Sequence, residues 1–334
     1  MSFNSTIRQK LFTGAAGASL LIGLLVAAGC GTDEDTVVKK STPPPSVAQT
    51  PAPAPEPAPS VPETSAPAVQ PVQEVTYTVA ENAFFERRYD DAVDLFTRYT
   101  QREPNNTFGY YMLGLSAWKD GRLDVAEQAF QHSLELDPTH LKSCLNLSRV
   151  LLDAHRPSDA LTVLDRALAI DTTCGDAYRL KGLAYHDLSQ VDDALAAYQS
   201  ALRLDPEDAW SMNNLAFIRI QQGRYDEALP ALARAVELRK DVPVFYNNLG
   251  MALEHAGQFS AAADAYGFAA SLDASNTRAT TNHDRVAAVK DDPALPPVDL
   301  TALARAFEQT VDGWKVAATT TTAPADSLVS VQPR

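Results

Sequence analysis

The sequence is 334 residues long, 45% hydrophobic and 21% charged, with a formal net charge of −14. That balance lacks the clustered cations a phosphate backbone demands, so nucleic acid is excluded as an expected partner. The length exceeds what one compact core usually serves, a problem that stacked units solve by adding neighbours.

The first element is a targeting segment. Arg8 and Lys10 precede an uncharged stretch from Leu11 to Gly29, and small residues lead up to Cys30. A positive start, a short apolar core and small residues before a break predict a secretory signal peptide over 1–29. An uncleaved membrane anchor is the alternative, and either way the mature chain works outside the cytoplasm. Residues 30–72 are rich in proline and alanine, as in Pro43-Pro44-Pro45 and the PAPAPEPAP run from Pro51 to Pro59. Such a composition cannot bury a core and is expected to form a disordered linker, with a reach on the order of 130 Å if fully extended.

From Gln73 the chain repeats. Six windows of thirty-four residues follow without insertion or deletion: 73–106, 107–140, 141–174, 175–208, 209–242 and 243–276. The eighth residue is always small (Ala80, Gly114, Ser148, Gly182, Ala216, Gly250) and the twentieth is always alanine (Ala92, Ala126, Ala160, Ala194, Ala228, Ala262). The twenty-fourth is large and apolar: Phe96, Phe130, Leu164, Tyr198, Leu232, Tyr266. Apolar residues at helical spacing, broken in mid-window by residues such as Gly223, predict two amphipathic helices per window. The small residues let two helices cross closely, and the large one fills the groove beside them. Residues 277–290 are expected to form a capping helix, and 291–334 a tail with a short helix over 299–314. The apolar side of that short helix, Leu300, Leu303, Phe307 and Trp314, is expected to dock on the stack.

This period, with its small eighth and twentieth residues and its Leu113-Gly114 and Leu249-Gly250 pairs, resembles the tetratricopeptide repeat (TPR) family. The resemblance implies an all-α, right-handed α-solenoid of six helix-turn-helix units. Departures include Lys181 at a usually apolar seventh position and Arg87 where a turn glycine is common. Val26-Ala27-Ala28-Gly29-Cys30 is similar to a lipobox, which implies a bacterial TPR lipoprotein acylated on Cys30. Gly31 in place of aspartate after that cysteine implies the outer membrane over the inner.

In TPR arrays the first helix of each pair lines a concave groove. Carried over, its inward positions give an N-terminal aromatic patch of Tyr77, Phe84, Phe85, Phe108, Tyr111 and Trp118. A C-terminal patch holds Trp210, Asn213, Asn214, Phe217, Asn247, Asn248 and Met251, with Asn146 joining Asn214 and Asn248 at the sixth position. An asparagine carries both donors and an acceptor, so a row of them can pair with the backbone of an extended peptide. The aromatics would supply the buried contact area.

No motif for catalysis, phosphate binding or metal ligation was found, and the six histidines are dispersed. No cofactor, metal site or enzymatic activity is expected. Cys144 and Cys174 either pair or remain thiols. The expected function is a membrane-tethered adaptor or scaffold of the bacterial cell envelope, holding a peptide segment of an envelope protein. A carbohydrate-binding or enzyme-associated role and a self-assembling scaffold are the alternatives.

Overall fold

The computed structural model describes residues 75–275 and 277–321. The expected signal peptide, Cys30 and linker lie outside the described residues, as do the first two residues of the first window, Asn276 and the end of the tail. Among the described residues there are fourteen helices and no strands.

The helices alternate in each window. The first helices are α1 (Tyr77–Phe85), α3 (Thr107–Lys119), α5 (Leu141–Asp153), α7 (Gly175–Asp187), α9 (Ala209–Gln221) and α11 (Pro243–His255). The second helices are α2 (Tyr89–Arg102), α4 (Leu123–Leu136), α6 (Pro157–Ile170), α8 (Val191–Leu204), α10 (Tyr225–Leu238) and α12 (Phe259–Leu272). Then come α13 (Thr277–Val286) and α14 (Leu300–Thr321).

One turn recurs in all six windows. The fifteenth residue has a positive φ each time: Arg87 (60°), Gly121 (80°), His155 (56°), Ser189 (59°), Gly223 (72°) and Gly257 (81°). The next amide then reaches back five residues, as Arg122 N donates to Ala117 O (2.8 Å) and Gln190 N to Tyr185 O (2.8 Å). This is the Schellman ending of a helix, and the following residue starts the second helix at once. The return to the next window uses an aspartate whose carboxylate accepts from the amide two residues on, at Asp137, Asp171, Asp205 and Asp273. Pro157 opens α6, where its missing amide is harmless. Pro230 lies inside α10, which continues through it.

The core follows the periodic residues. All six alanines at the twentieth position are 0% exposed. Where the twenty-fourth residue is Phe130, Tyr198 or Tyr266, the facing residue is Gly114, Gly182 or Gly250, and a Cβ there would lie 2.4–2.7 Å from the ring. Where it is Leu164 or Leu232, the facing residue is Ser148 or Ala216. In these five windows, ring and hydrogen atom, or leucine and small side chain, fill the same crossing; the first window has Phe96 with Ala80.

The buried residues form two clusters, one from Ala80 to Leu180 and the other from Ala194 to Val311. The boundary falls in the fourth window. There Lys181 occupies its seventh position, with Nζ 2.7 Å from Asp165 Oδ1.

The tail helix is longer than the expected 299–314 and turns away from the first helices. α14 packs across α10 and, more lightly, α8, which are second helices. Ala304, Phe307 and Val311 are buried there, with Leu300, Leu303 and Trp314 partly covered. Arg234 Nη2 meets Glu308 at 2.7 Å. Beside that ion pair lies a cleft of about 250 Å³ lined by Pro206, Met212, Arg234, Phe307 and Val311, and Arg234 Nε is buried without a hydrogen-bond partner.

Candidate functional site: the inner face of the first helices

The aromatic half comes from α1 and α3. Phe85 is 69% exposed and Phe108 60% exposed. Phe84 lies edge-on to Phe85 at 5.7 Å and fills the turn against Tyr89. Phe108 stands edge-on to His140 (5.4 Å), and Tyr111 meets the same imidazole at 5.1 Å. Burial lowers the His140 pKa, Lys142 adds to that and Asp137 opposes it; Nδ1 lies 2.7 Å from Ser143 Oγ. Trp118 donates through Nε1 to Asp153 Oδ2 (2.7 Å), and Lys119 Nζ stands 5.0 Å from its ring centre. Tyr77 differs from the others: its ring packs edge-on against Phe96 (5.6 Å) and Tyr99 (5.7 Å), so it belongs to the helix interface.

The asparagines are arranged otherwise than expected. Asn146, Asn213, Asn247 and Asn248 are 7%, 4%, 7% and 5% exposed. Asn146 Nδ2 donates to the Tyr111 hydroxyl (3.3 Å), and its Oδ1 accepts from Arg149 Nη1 (2.8 Å). Asn248 Nδ2 donates to Asn213 Oδ1 (2.9 Å), and Asn282 Nδ2 of α13 donates to Asn247 Oδ1 (3.4 Å). These three links each join the fifth position of one window to the sixth of the next, thirty-five residues on. Leu145 and Leu180, both buried, hold the corresponding positions one window along. The row of amides therefore stitches one first helix to the next instead of offering free donors to a peptide. Asn214 is half-exposed, bonded to Asn213 Nδ2 (3.3 Å) and to the buried Tyr198 hydroxyl.

Trp210, Phe217 and Met251 remain half-exposed. Trp210 lies edge-on to Phe245 (4.9 Å) and Phe217 edge-on to His186 (6.0 Å), whose Nε2 is 2.7 Å from Gln221 Oε1. The middle of the face holds a charged cluster not anticipated as a unit. Arg179 pairs with Asp176 and lies 3.5 Å from Asp208, and Arg149 lies 3.9 Å from Asp176. Burial raises the Asp208 pKa, opposed by Arg179 and by the Ser211 hydrogen bonds. The signal for the asparagine links is the thirty-five-residue offset, which also singles out Asn282. Cys144 and Cys174 are free thiols. Among the described residues no group of three His, Cys, Asp or Glu could hold a metal ion, and no helix is long and apolar enough to cross a membrane.

Paired antiparallel helices stacked at a fixed period, with a small residue facing a large one at each crossing, define a helical repeat protein. Family models described as tetratricopeptide repeat match residues 77–140, 145–209 and 185–251, together just over half of the chain. The chain belongs to the tetratricopeptide repeat family. It is 27% identical to the protein O-mannosyl-transferase Tmtc3 of Drosophila melanogaster over 139 residues, 41% of this chain and 15% of that protein. It is 22% identical to a TPR repeat-containing protein of Methanocaldococcus jannaschii over 159 residues, 45% of this chain and 28% of that protein. The chain thus spans under a third of the length of these relatives. Among solved structures it is similar to PilW, a widely conserved type IV pilus biogenesis factor, with a TM-score of 0.54 and 17% identity over 63% of this chain and 96% of that one. That likeness is one of fold.

Proposed function

We propose that this protein is a non-enzymatic adaptor of the bacterial cell envelope, tethered to a membrane through acylated Cys30, whose inner face holds an extended segment of another envelope protein. The observation that carries the reading is the pair of uncovered rings on the first two windows: Phe85 and Phe108, 69% and 60% exposed, beside Tyr111 and Trp118. An aromatic surface is a poor neighbour for water and supplies contact area at low entropic cost when a partner covers it. Because the buried asparagines are already paired, recognition rests on ring faces in the N-terminal half and on Trp210, Asn214, Phe217 and Met251 in the C-terminal half. The proline-rich linker sets the reach from the membrane, outer in preference to inner, and tethering raises effective concentration so that modest affinity suffices.

Photocrosslinking from intact membranes tests both parts. The native protein should capture a defined envelope protein, and Phe85→Glu/Phe108→Glu, with unchanged helicity, should lose it. Capture of the same set by both forms would move the site elsewhere, and capture of none would end the adaptor reading. Cys30→Ser should shift the protein from the membrane to the soluble fraction.

A further inference from the structure

The outer face of the second helices changes character along the chain. In the first three windows its twenty-sixth position is Arg98, His132 and Arg166; in the last three it is Ser200, Arg234 and Phe268. Around these the fourth and fifth windows carry small and apolar residues, and α14 covers them: Ala197 and Ala233 are 7% and 2% exposed. The same kind of surface continues onto α12, where α14 does not reach. There Phe268 is 59% exposed and stacks on Tyr246 (5.6 Å, 26°), and Leu272 is 42% exposed.

The charge around this uncovered stretch differs from that under α14. On α10 the twenty-sixth position is a cation, Arg234, that selects Glu308. On α12 it is Phe268, with exposed Asp264 one helical turn before it. Asp241, near Tyr246, is already paired with Arg239 (3.1 Å), which leaves Asp264 as the unpaired carboxylate beside the rings. A second copy would bring a second Asp264 onto the same small apolar face, which disfavours self-pairing.

We propose that the outer face of α12 is a docking surface for an amphipathic helix from a partner protein, one with an apolar stripe like that of α14 but flanked by lysine or arginine. The apolar stripe would lie on Phe268, Tyr246 and Leu272 as that of α14 lies on α10, and the basic flank would meet Asp264. This surface lies on α12 and on Tyr246 of α11, which is not one of the groove positions, and is independent of the groove reading.

The probe is a labelled synthetic peptide of residues 299–317 carrying Glu308→Lys and Asp312→Lys. Lysine at the first position is rejected by Arg234, so the peptide does not substitute for α14 on α10. Titrated into the full chain at low salt, it should bind about tenfold or more tightly than the unsubstituted peptide, and Phe268→Glu, with unchanged helicity, should weaken it about tenfold or more. Equal binding to Phe268→Glu, tighter binding of the unsubstituted peptide, or no binding of either would overturn the proposal. Phe268→Ala should give an intermediate loss, which separates the lost ring from an added charge.

Discussion

A single backbone angle at each fifteenth position decides whether the two helices of a window can meet. Three of the six sites are glycine, and Arg87, His155 and Ser189 adopt the left-handed conformation with a Cβ in place. That conformation costs an L-residue roughly 1 kcal/mol. His155→Gly and Ser189→Gly should each stabilise the protein by roughly 0.5–1 kcal/mol despite removing a side chain, read as a rise in the urea midpoint. The opposite holds at Gly182, where a Cβ would lie 2.4 Å from the fully buried Tyr198 ring. Gly182→Ala should cost about 1–3 kcal/mol, by the same measurement. The crossings at the eighth, twentieth and twenty-fourth positions were legible in the sequence because each is settled inside one window by size alone. The turn was legible only where it is glycine; at Arg87, His155 and Ser189 the Schellman hydrogen bonds hold a residue type that announces nothing.

At the scale of elements, the asparagine links and the capping helix act together. Asn248→Ala would leave Asn213 Oδ1 buried without its donor and should cost about 1–3 kcal/mol, so a loss of partner binding in such a variant would report on stability and not on contact. The cap is also held by Arg285, which pairs with Glu254, while the Tyr266 hydroxyl donates to the same carboxylate (3.0 Å). Burial, the largest influence, raises the Glu254 pKa, but the Arg285 and Tyr266 interactions together bring it below its ordinary 4.5. A lowered carboxylate pKa stabilises above 4.5 and that contribution is lost as pH falls through the folded value. Amide exchange in α13 should therefore accelerate, relative to α9, once the pH drops below 4.5. The docking of α14 was legible as an amphipathic helix but not as a place, because a helix outside the period has no register. The signal was indirect: α10 carries Pro230, Ala231 and Ala233 on its outer side where α6 carries Thr162, Val163 and Asp165, and a helix apolar on two faces has two neighbours. The asparagines depart from the expected free row for a related reason. Their inward positions were legible, but the pairing across thirty-five residues depends on how far one first helix slides along the next, which the period alone does not state.

For the whole molecule, the two hydrophobic clusters part within the fourth window, the one that carries Lys181. Lys181→Leu would place an apolar side chain where the period expects one, and should raise the urea midpoint and sharpen the transition. Substantial packing between the described helices otherwise joins elements one or two apart in the chain; only α14 reaches back four and six elements, to α10 and α8. The bridge from Arg234 to Glu308 thereby closes α11, α12 and α13 inside a loop. If the chain is pulled by its two ends, as when a tethered protein holds a moving partner, the load at the C-terminus falls first on α14 and the loop behind it bears none. The last window and its cap then yield only after α14 peels away, so extension should begin with one detachment and release the length of the loop afterwards, before the remaining helix pairs unravel in turn.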